Sequence, residues 1–317
     1  MTGRTHLVTG ADGFVGSHLV DELVRRGERV VAVVRRTSRS QATRRFRNLE
    51  PATVERLAGL VHVDLAGPDA VSALVAADAD VWFHLAADAY VPASLDQPAS
   101  VSLANVASTV AVLEAARAAR PEHLLVTSSS EVYGSHPRAI TEEDALHPST
   151  PYAASKVACD RLAWSYRNSF DLPVTIVRPF NCYGPRHVYD VIPIFLVKAL
   201  RGEPLTINGT GRQTRDFTYV SDTVDAFLRL AGLAPAGKVY NIGTGVDHEV
   251  GEVAAAVVEL TGSRSDIRHG PARAGEVLKL LCDATALRAA TGWTPRHDLR
   301  EGLRHNIAWL RERGTEW

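Results

Sequence analysis

His6-Leu7-Val8-Thr9-Gly10-Ala11-Asp12-Gly13-Phe14-Val15-Gly16 places a short apolar run directly before a glycine-rich loop, and a helical pattern over Gly16–Arg26 follows it. The glycines are spaced G-x-x-G-x-x-G, which differs from the G-x-G-x-x-G form. A loop between a first strand and a first helix turns backbone N–H groups toward a pyrophosphate at the helix N-terminus. Gly10, Asp12, Gly13, Phe14, Val15 and Gly16 are therefore candidate dinucleotide-binding residues, with an ordinary tight turn as the plainer alternative.

Beyond this loop, short β-branched runs recur at His6–Thr9, Val30–Val34, Val61–Val63, Val81–His84, His123–Ser128 and Val174–Arg178. They alternate with amphipathic stretches at Val101–Ala119 and Pro151–Ser169. The runs are almost uniformly apolar, as strands covered on both faces are, and the rhythm is that of βαβ units. The expectation is an α/β fold: a doubly wound parallel (Rossmann) sheet over residues 1–180. A smaller C-terminal α/β substrate lobe is expected mainly over 181–317, with the chain free to cross back between the two.

The end of the second strand should carry an acid if a free ribose 2′-hydroxyl is to be held there. The residues are Val34-Arg35-Arg36-Thr37-Ser38, without a carboxylate. Arginine accommodates a 2′-phosphate, so Arg35, Arg36 and Ser38 join the cofactor candidates and both NAD and NADP stay open. Two solvated arginines leaving a strand are the alternative.

A redox site is indicated further along. If 151–167 is helical, Tyr152 and Lys156 lie one turn apart on one face. A nearby cation stabilises phenolate, letting a tyrosine act as a base near neutral pH. Thr127-Ser128-Ser129-Ser130-Glu131 precedes them and adds a carboxylate as a second proton acceptor. Ser129, Glu131, Tyr152 and Lys156 are the candidate catalytic residues.

Composition bounds the rest. The chain has 317 residues, 45% hydrophobic, and a formal net charge of −1, which gives no reason to expect a nucleic-acid or membrane partner. Cys159, Cys182 and Cys282 are odd in number and form no CxxC pair, so neither a disulfide framework nor a metal site is expected. No unbroken apolar run approaches the roughly 18 residues of a membrane span, and a cytoplasmic location is expected.

These residues resemble the extended short-chain dehydrogenases/reductases that act on nucleotide sugars, over nearly the whole chain. Besides Gly10/Gly13/Gly16 and Tyr152/Lys156, the matching segments include Asp64-Leu65, His84-Leu85-Ala86-Ala87, Asn105, Arg178-Pro179-Phe180-Asn181, Tyr183-Gly184-Pro185-Arg186, Arg215-Asp216-Phe217-Thr218-Tyr219-Val220 and Asn241-Ile242-Gly243. The resemblance implies that Asp64 and Leu65 approach the adenine, and that Ala86 and Ala87, beside Leu85, line the nicotinamide side. It also implies that Lys156 holds the nicotinamide ribose, and that Asn181, Arg215 and Arg273 handle the nucleotide sugar. Permanently charged guanidinium forks suit a diphosphate, and a salt bridge to Asp216 or another acid is the plainer reading of Arg215. Tyr90, Ser130 and Arg186 are further substrate candidates, and Ser94 is weighed with Tyr90. His84 reads as a packed or hydrogen-bonded histidine, and His187 as exposed.

Many 4-epimerases similar to this sequence carry a small residue where Glu131 stands. A carboxylate there implies proton abstraction from carbon once C4 is oxidised. Ser129-Ser130-Glu131 is close to the Thr-Ser-Glu of 4,6-dehydratases and of UDP-glucuronate decarboxylases. Ser129 keeps the hydroxyl that could bond the sugar O4 but lacks the methyl that restricts its rotamer. Ser130 stands where dTDP-glucose 4,6-dehydratases have Asp, which disfavours that substrate. The implied activity is an NDP-hexose 4,6-dehydratase with tightly bound, recycled NAD or NADP. UDP-glucuronate decarboxylase is the alternative, then 4-epimerase, and lastly a non-enzymatic nucleotide-binding protein. Relatives commonly form homodimers through two helices, for which Val101–Ala119 and Pro151–Ser169 are the candidates.

Overall fold

The computed structural model describes residues 3–35, 46–234, 237–273 and 275–315. Its contacts divide into two units: Met1–Ser129, Thr150–Arg178 and Val224–Tyr240 in the first, and Ser130–Ser149, Pro179–Thr223 and Asn241–Trp317 in the second. The chain thus crosses between units several times, beside the one boundary drawn at 180/181 from sequence.

The first unit is built on a seven-stranded parallel sheet, a Rossmann-like α/β fold. Its strands are β1 (Thr5–Thr9), β2 (Arg29–Val34), β3 (Gly59–His62), β4 (Val81–His84), β5 (His123–Thr127), β6 (Val174–Pro179) and β10 (Val239–Ile242), in the order β10-β6-β5-β4-β1-β2-β3, with the strand ends Pro179 and Asn241–Ile242 counted in the second unit. Residues such as Leu7, Val8, Trp82, Phe83, Leu124 and Leu125 are wholly buried, which accounts for the unbroken apolar runs. From β1 the chain winds one way through β2 and β3, then returns to β4 and winds the other way. The crevice at the carboxyl ends of β1 and β4 is thus the switch point where ligands sit in such sheets.

Helices α1 (Phe14–Arg25), α2 (Pro51–Val54), α3 (Ala70–Val75), α4 (Val91–Asp96), α5 (Pro98–Ala119) and α6 (Pro151–Phe170) belong to this unit. Helix α6 starts where it does for a local reason. The Thr150 hydroxyl accepts the Ala153 N–H at 3.2 Å, and Pro151 occupies the first turn with its φ already helical. Helix α5 packs against α6. Among described helices α5 is the one long and apolar enough, by composition alone, to cross a bilayer. Scattered small and polar residues hide this from a search for an unbroken apolar run. Val101, Val112 and Leu113 are buried inside the unit.

In the second unit, β9 (Thr214–Tyr219) is the central strand. It pairs antiparallel with β11 (Asp247–Glu249) and parallel with β7 (Asn181–Tyr183) and β13 (Lys279–Leu280). A separate parallel pair joins β8 (Leu205–Asn208) to β12 (Ile267–Gly270). Helices α7 (Val191–Arg201), α9 (Val250–Thr261), α10 (Thr285–Thr291) and α11 (Leu299–Arg313) complete it, and α8 (Val220–Ala231) carries the chain back into the first unit.

Two devices seat α11 and the segment before it, one from Asp222 on α8 and one from Tyr183 on β7. The buried Asp222 carboxylate accepts the backbone N–H groups of Arg296 and His297, both at 3.0 Å, and the Trp293 indole donates to the Asp222 carbonyl at 3.0 Å. Tyr183 donates its hydroxyl to the Leu299 carbonyl at 3.1 Å, a contact possible only because α11 presents Gly302 there. A methyl at Gly302 would lie 1.9 Å from the Tyr183 oxygen. Gly302→Ala is expected to cost about 1–3 kcal/mol by overpacking, read as a lower thermal midpoint. An unchanged midpoint would mean that the α11–β9 packing is loose enough to absorb a methyl.

Candidate active site

Gly10 follows β1 directly with φ +69°, a conformation glycine adopts without strain, and a methyl there would meet the Ala86 backbone at 2.9 Å. The loop after β1 therefore lies directly on the loop after β4, at the switch point. Methyls at Gly13 and Gly16 would strike the Gly10 carbonyl at 2.9 and 2.2 Å. Helix α1 opens at Gly13 with no side-chain cap and no acid in its first turn, so its N–H groups stay available to a phosphate. This bare cradle fits a dinucleotide pyrophosphate.

The other cofactor candidates separate. Asp12 turns its carboxylate away to the backbone N–H groups of Arg47, Asn48 and Leu49 at 3.0, 2.8 and 3.1 Å, so it braces the next loop. Leu65 packs its side chain into the core, which leaves only its backbone for a ligand, while Asp64 is exposed. Leu85 and Ala86 are half-buried, Ala87 is exposed, and Arg35 is exposed at the end of β2. Arg36 and Ser38 lie outside the described residues.

Tyr152 and Lys156 are both buried on α6, one turn apart. Lys156 donates from Nζ to the Thr127 carbonyl at 2.6 Å. Burial lowers its pKa, opposed by Cys159 and Asp160. Asp160 is in turn held by Arg178, with Nε at 2.8 Å. Ser129, also buried, closes the first unit, two residues before Glu131.

In the second unit, Ser130–Tyr133 form a 3-10 turn. The turn is fixed from below by buried Asn241. Tyr133 donates to the Asn241 side-chain carbonyl at 2.8 Å, the Asn241 amide donates to the Ile140 carbonyl at 3.0 Å, and its backbone N–H donates to Glu142 at 2.7 Å. Glu131 is half-buried. Burial raises its pKa, Arg215 and Arg273 oppose the shift, and Asp190 and Glu276 reinforce it. A carboxylate so placed holds a proton more readily than an ordinary one, as a carbon acid's base must.

Arg215, on β9, is ion-paired with Glu276 at 3.0 Å and not with Asp216. Asp216 is buried and accepts from Thr244 and from the Gly245 N–H. Glu276 was not a candidate from sequence, because 61 residues separate it from Arg215 and only the pairing of β13 with β9 joins them. Asn181 has a buried side-chain oxygen without a hydrogen-bond partner among the described residues, consistent with a ligand contact. Arg186 is half-buried with φ +71°, and Arg273 is exposed.

Two further expectations change. Ser94 is buried and bonds its own helix at the Val91 carbonyl, so it cannot serve a sugar, whereas Tyr90 is exposed. His187 is buried, not exposed, and lies 3.3 Å from Asp190. His84 is indeed packed and hydrogen-bonded, between Thr9 and Thr109. The three cysteines are free thiols, and no group of His, Cys, Asp or Glu among the described residues could hold a metal ion.

With this geometry in place, comparison with known proteins decides the family. The model of the NAD dependent epimerase/dehydratase family matches residues 6–243. The chain belongs to that family. It is 37% identical to the UDP-glucose 4-epimerase of Mycolicibacterium smegmatis over 97% of this chain and 98% of that one. It is 34% identical to the UDP-N-acetyl-alpha-D-glucosaminuronate decarboxylase of Bacillus cytotoxicus, over 96% and 97%. Among solved structures it superposes on the dTDP-glucose 4,6-dehydratase DesIV of Streptomyces venezuelae, which has NAD bound, with TM-score 0.88, 28% identity and 97% coverage of each chain. The family is NAD-dependent, so NAD is the supported cofactor of the two left open by Arg35 and Arg36.

Gly16→Ala should weaken NAD binding on the order of tenfold to a hundredfold in a titration, the equivalent of about 1–3 kcal/mol of overpacking. Wild-type affinity would show that the loop can yield. Glu131 has a folded-state pKa above its unfolded one, so its stabilising contribution is full below the unfolded value and is lost as pH rises through the folded one. Glu131→Gln should therefore raise the thermal midpoint near pH 7 more than near pH 4, and the reverse order would contradict the burial of the carboxylate.

Proposed function

We propose that this enzyme is a nucleotide-sugar lyase that oxidises a UDP-hexose at C4 and then eliminates water across C5 and C6, a 4,6-dehydratase. The observation that carries the reading is Glu131, a half-buried carboxylate with raised proton affinity on a braced turn, two residues beyond Ser129. A 4-epimerase needs no base for C5, so the carboxylate argues against the activity named for the 37%-identical relative. Uridine is favoured because the epimerase and decarboxylase relatives are both named for UDP-sugars.

Bound NAD supplies the oxidation at C4 and the reduction that ends each turnover. Ser129 orients O4, and Tyr152 takes the O4 proton, its phenolate supported by the Lys156 charge one turn away. The resulting 4-ketone acidifies the C5 hydrogen, which Glu131 removes. The proton it has taken is then available to the departing C6 hydroxyl, so one water is lost and the carboxylate is restored. As C6 is reduced, C5 regains a proton by exchange with solvent and Tyr152 gives up the one it took, leaving loss of water as the net change. Asn181, Arg186 and Arg273, with Arg215 once released from Glu276, hold the nucleotide sugar, with Tyr90 and Ser130 bordering it. Asp64, Leu65 and Ala87 serve the cofactor in this reading.

A second reading is decarboxylation of UDP-glucuronate, favoured by the 34%-identical decarboxylase and by the cations beside Glu131. There the C4 ketone makes the C6 carboxylate a β-keto acid, and carbon dioxide leaves without a base at C5. We further propose a cytoplasmic homodimer whose contact is made by α5 and α6, where Leu103 and Trp164 are exposed.

Purified enzyme incubated separately with UDP-glucose, UDP-N-acetylglucosamine, GDP-mannose and UDP-glucuronate, with product masses measured, tests the reading. Loss of water from a UDP-hexose is expected, while loss of carbon dioxide from UDP-glucuronate alone would replace it with the second reading. Unchanged mass with inverted C4 would overturn both. Glu131→Gln should abolish water loss and the uptake of solvent deuterium at C5, by about 100-fold or more, while C4 oxidation continues.

A further inference from the structure

In the first unit a run of hydrogen bonds joins the loop after β4 to the helix that carries Tyr152. The Ala86 N–H donates to the Thr9 hydroxyl at 3.2 Å, and that hydroxyl lies 2.9 Å from His84 Nδ1. His84 Nε2 lies 3.1 Å from the Thr109 hydroxyl, which donates to the Asn105 carbonyl at 2.9 Å. The Asn105 side-chain amide donates to Ser155 Oγ at 3.0 Å, and Ser155 donates to the Tyr152 carbonyl at 2.7 Å. Asn105 also grips the loop after β4 at a second point. Its side-chain oxygen accepts the Asp88 N–H at 2.7 Å and its amide donates to the Asp88 carbonyl at 3.1 Å.

The proton positions in this run are fixed by counting. A threonine hydroxyl has one proton. Thr109 gives its proton to Asn105, so its oxygen can only accept from the ring, and Nε2 must carry the hydrogen. Nδ1 is then the acceptor, and Thr9 gives it the hydroxyl proton while accepting from Ala86. Thr109 thus demands the neutral Nε2–H tautomer, and Thr9, on a different element, can complete it as donor to Nδ1. An imidazolium would leave the Thr9 hydroxyl proton without the ring nitrogen as its acceptor, and burial with the nearby Lys156 charge pushes the His84 pKa down to about 3. Thr9 and His84 are paired residues of neighbouring strands, so the ring bridges β1 and β4 at the switch point itself.

We infer that His84 is a positioning residue: as a neutral imidazole protonated at Nε2, it ties the loop bearing Ala86 and Ala87 to α5, and through Asn105 to α6. It thereby sets the spacing between the nicotinamide side of the cofactor site and Tyr152. The inference rests on Tyr152 as the base of the reading above and is indifferent to the fate of the 4-ketone. A misplacement of about 1 Å between reacting groups costs on the order of a hundredfold in rate.

The tether is read first without any substrate. In the 15N-labelled NAD-bound enzyme, the ring signals missing from His84→Phe identify His84, and they should show the neutral Nε2–H tautomer with no titration near the ordinary pKa of about 6.5. An Nδ1–H tautomer, or titration in that range, overturns the inference even if no tested sugar is turned over. With a sugar that wild type does turn over, His84→Phe should lower kcat about a hundredfold at unchanged KM and saturated NAD, below its own unfolding temperature. His84→Gln keeps a donor toward Thr109 and should recover most of that loss. Thr109→Val, which cuts the run while preserving shape, should lower kcat in the same sense. Wild-type kcat in both His84→Phe and Thr109→Val overturns the positioning role, as does a loss in His84→Phe that His84→Gln does not recover.

Discussion

The close approach of Gly10 to the Ala86 backbone is the constraint on which the cofactor half of this protein depends. A parallel sheet wound in both directions from β1 brings the loops after β1 and β4 side by side. Only a residue without a side chain, in a left-handed conformation, lets them touch. Once they touch, the Gly10 carbonyl crowds Gly13 and Gly16 as well, so the whole G-x-x-G-x-x-G spacing answers to one contact. The bare start of α1 is a consequence, since a side chain at Gly13 would begin 2.9 Å from the Gly10 carbonyl.

The catalytic half of the first unit is set by a second local rule. Thr150 and Pro151 define where α6 begins, and this alone fixes Tyr152 in its first turn and Lys156 one turn on. A cap of this kind contributes about 1 kcal/mol, small against the fold but decisive for register. Lys156 is then buried against the Thr127 carbonyl, where its charge carries far more weight than on the surface. The same charge helps keep His84 neutral.

The strand rhythm, the glycine loop and the Tyr152/Lys156 pair were legible because each is a local pattern with a local cause. The pairing of Arg215 with Glu276 was not, since nothing near either residue shows that β13 lies beside β9. The role of the Asp12 side chain was not legible either, because its three bonds to the 47–49 backbone become visible only in the fold. His187 was read as exposed and is buried, and Ser94, weighed with Tyr90, is buried too, which single residues do not announce. The assignment of 130–149 to the second unit carries no compositional mark, although it separates Ser129 from Glu131.

That separation bears on how the chemistry is divided. Ser129, Tyr152 and Lys156 stand on elements of the first unit, whereas Glu131 and the residues that tune it, Arg215, Glu276, Arg273 and Asp190, all belong to the second. In the proposed reading the first group serves oxidation at C4. In the same reading the second group is the one assigned to the ketone. A carboxylate among both cations and anions has a proton affinity that depends on how many of those charges a bound diphosphate engages. If diphosphate draws Arg215 from Glu276, a freed anion and a neutralised cation both raise the proton affinity of Glu131, making it a stronger base only when the sugar is in place.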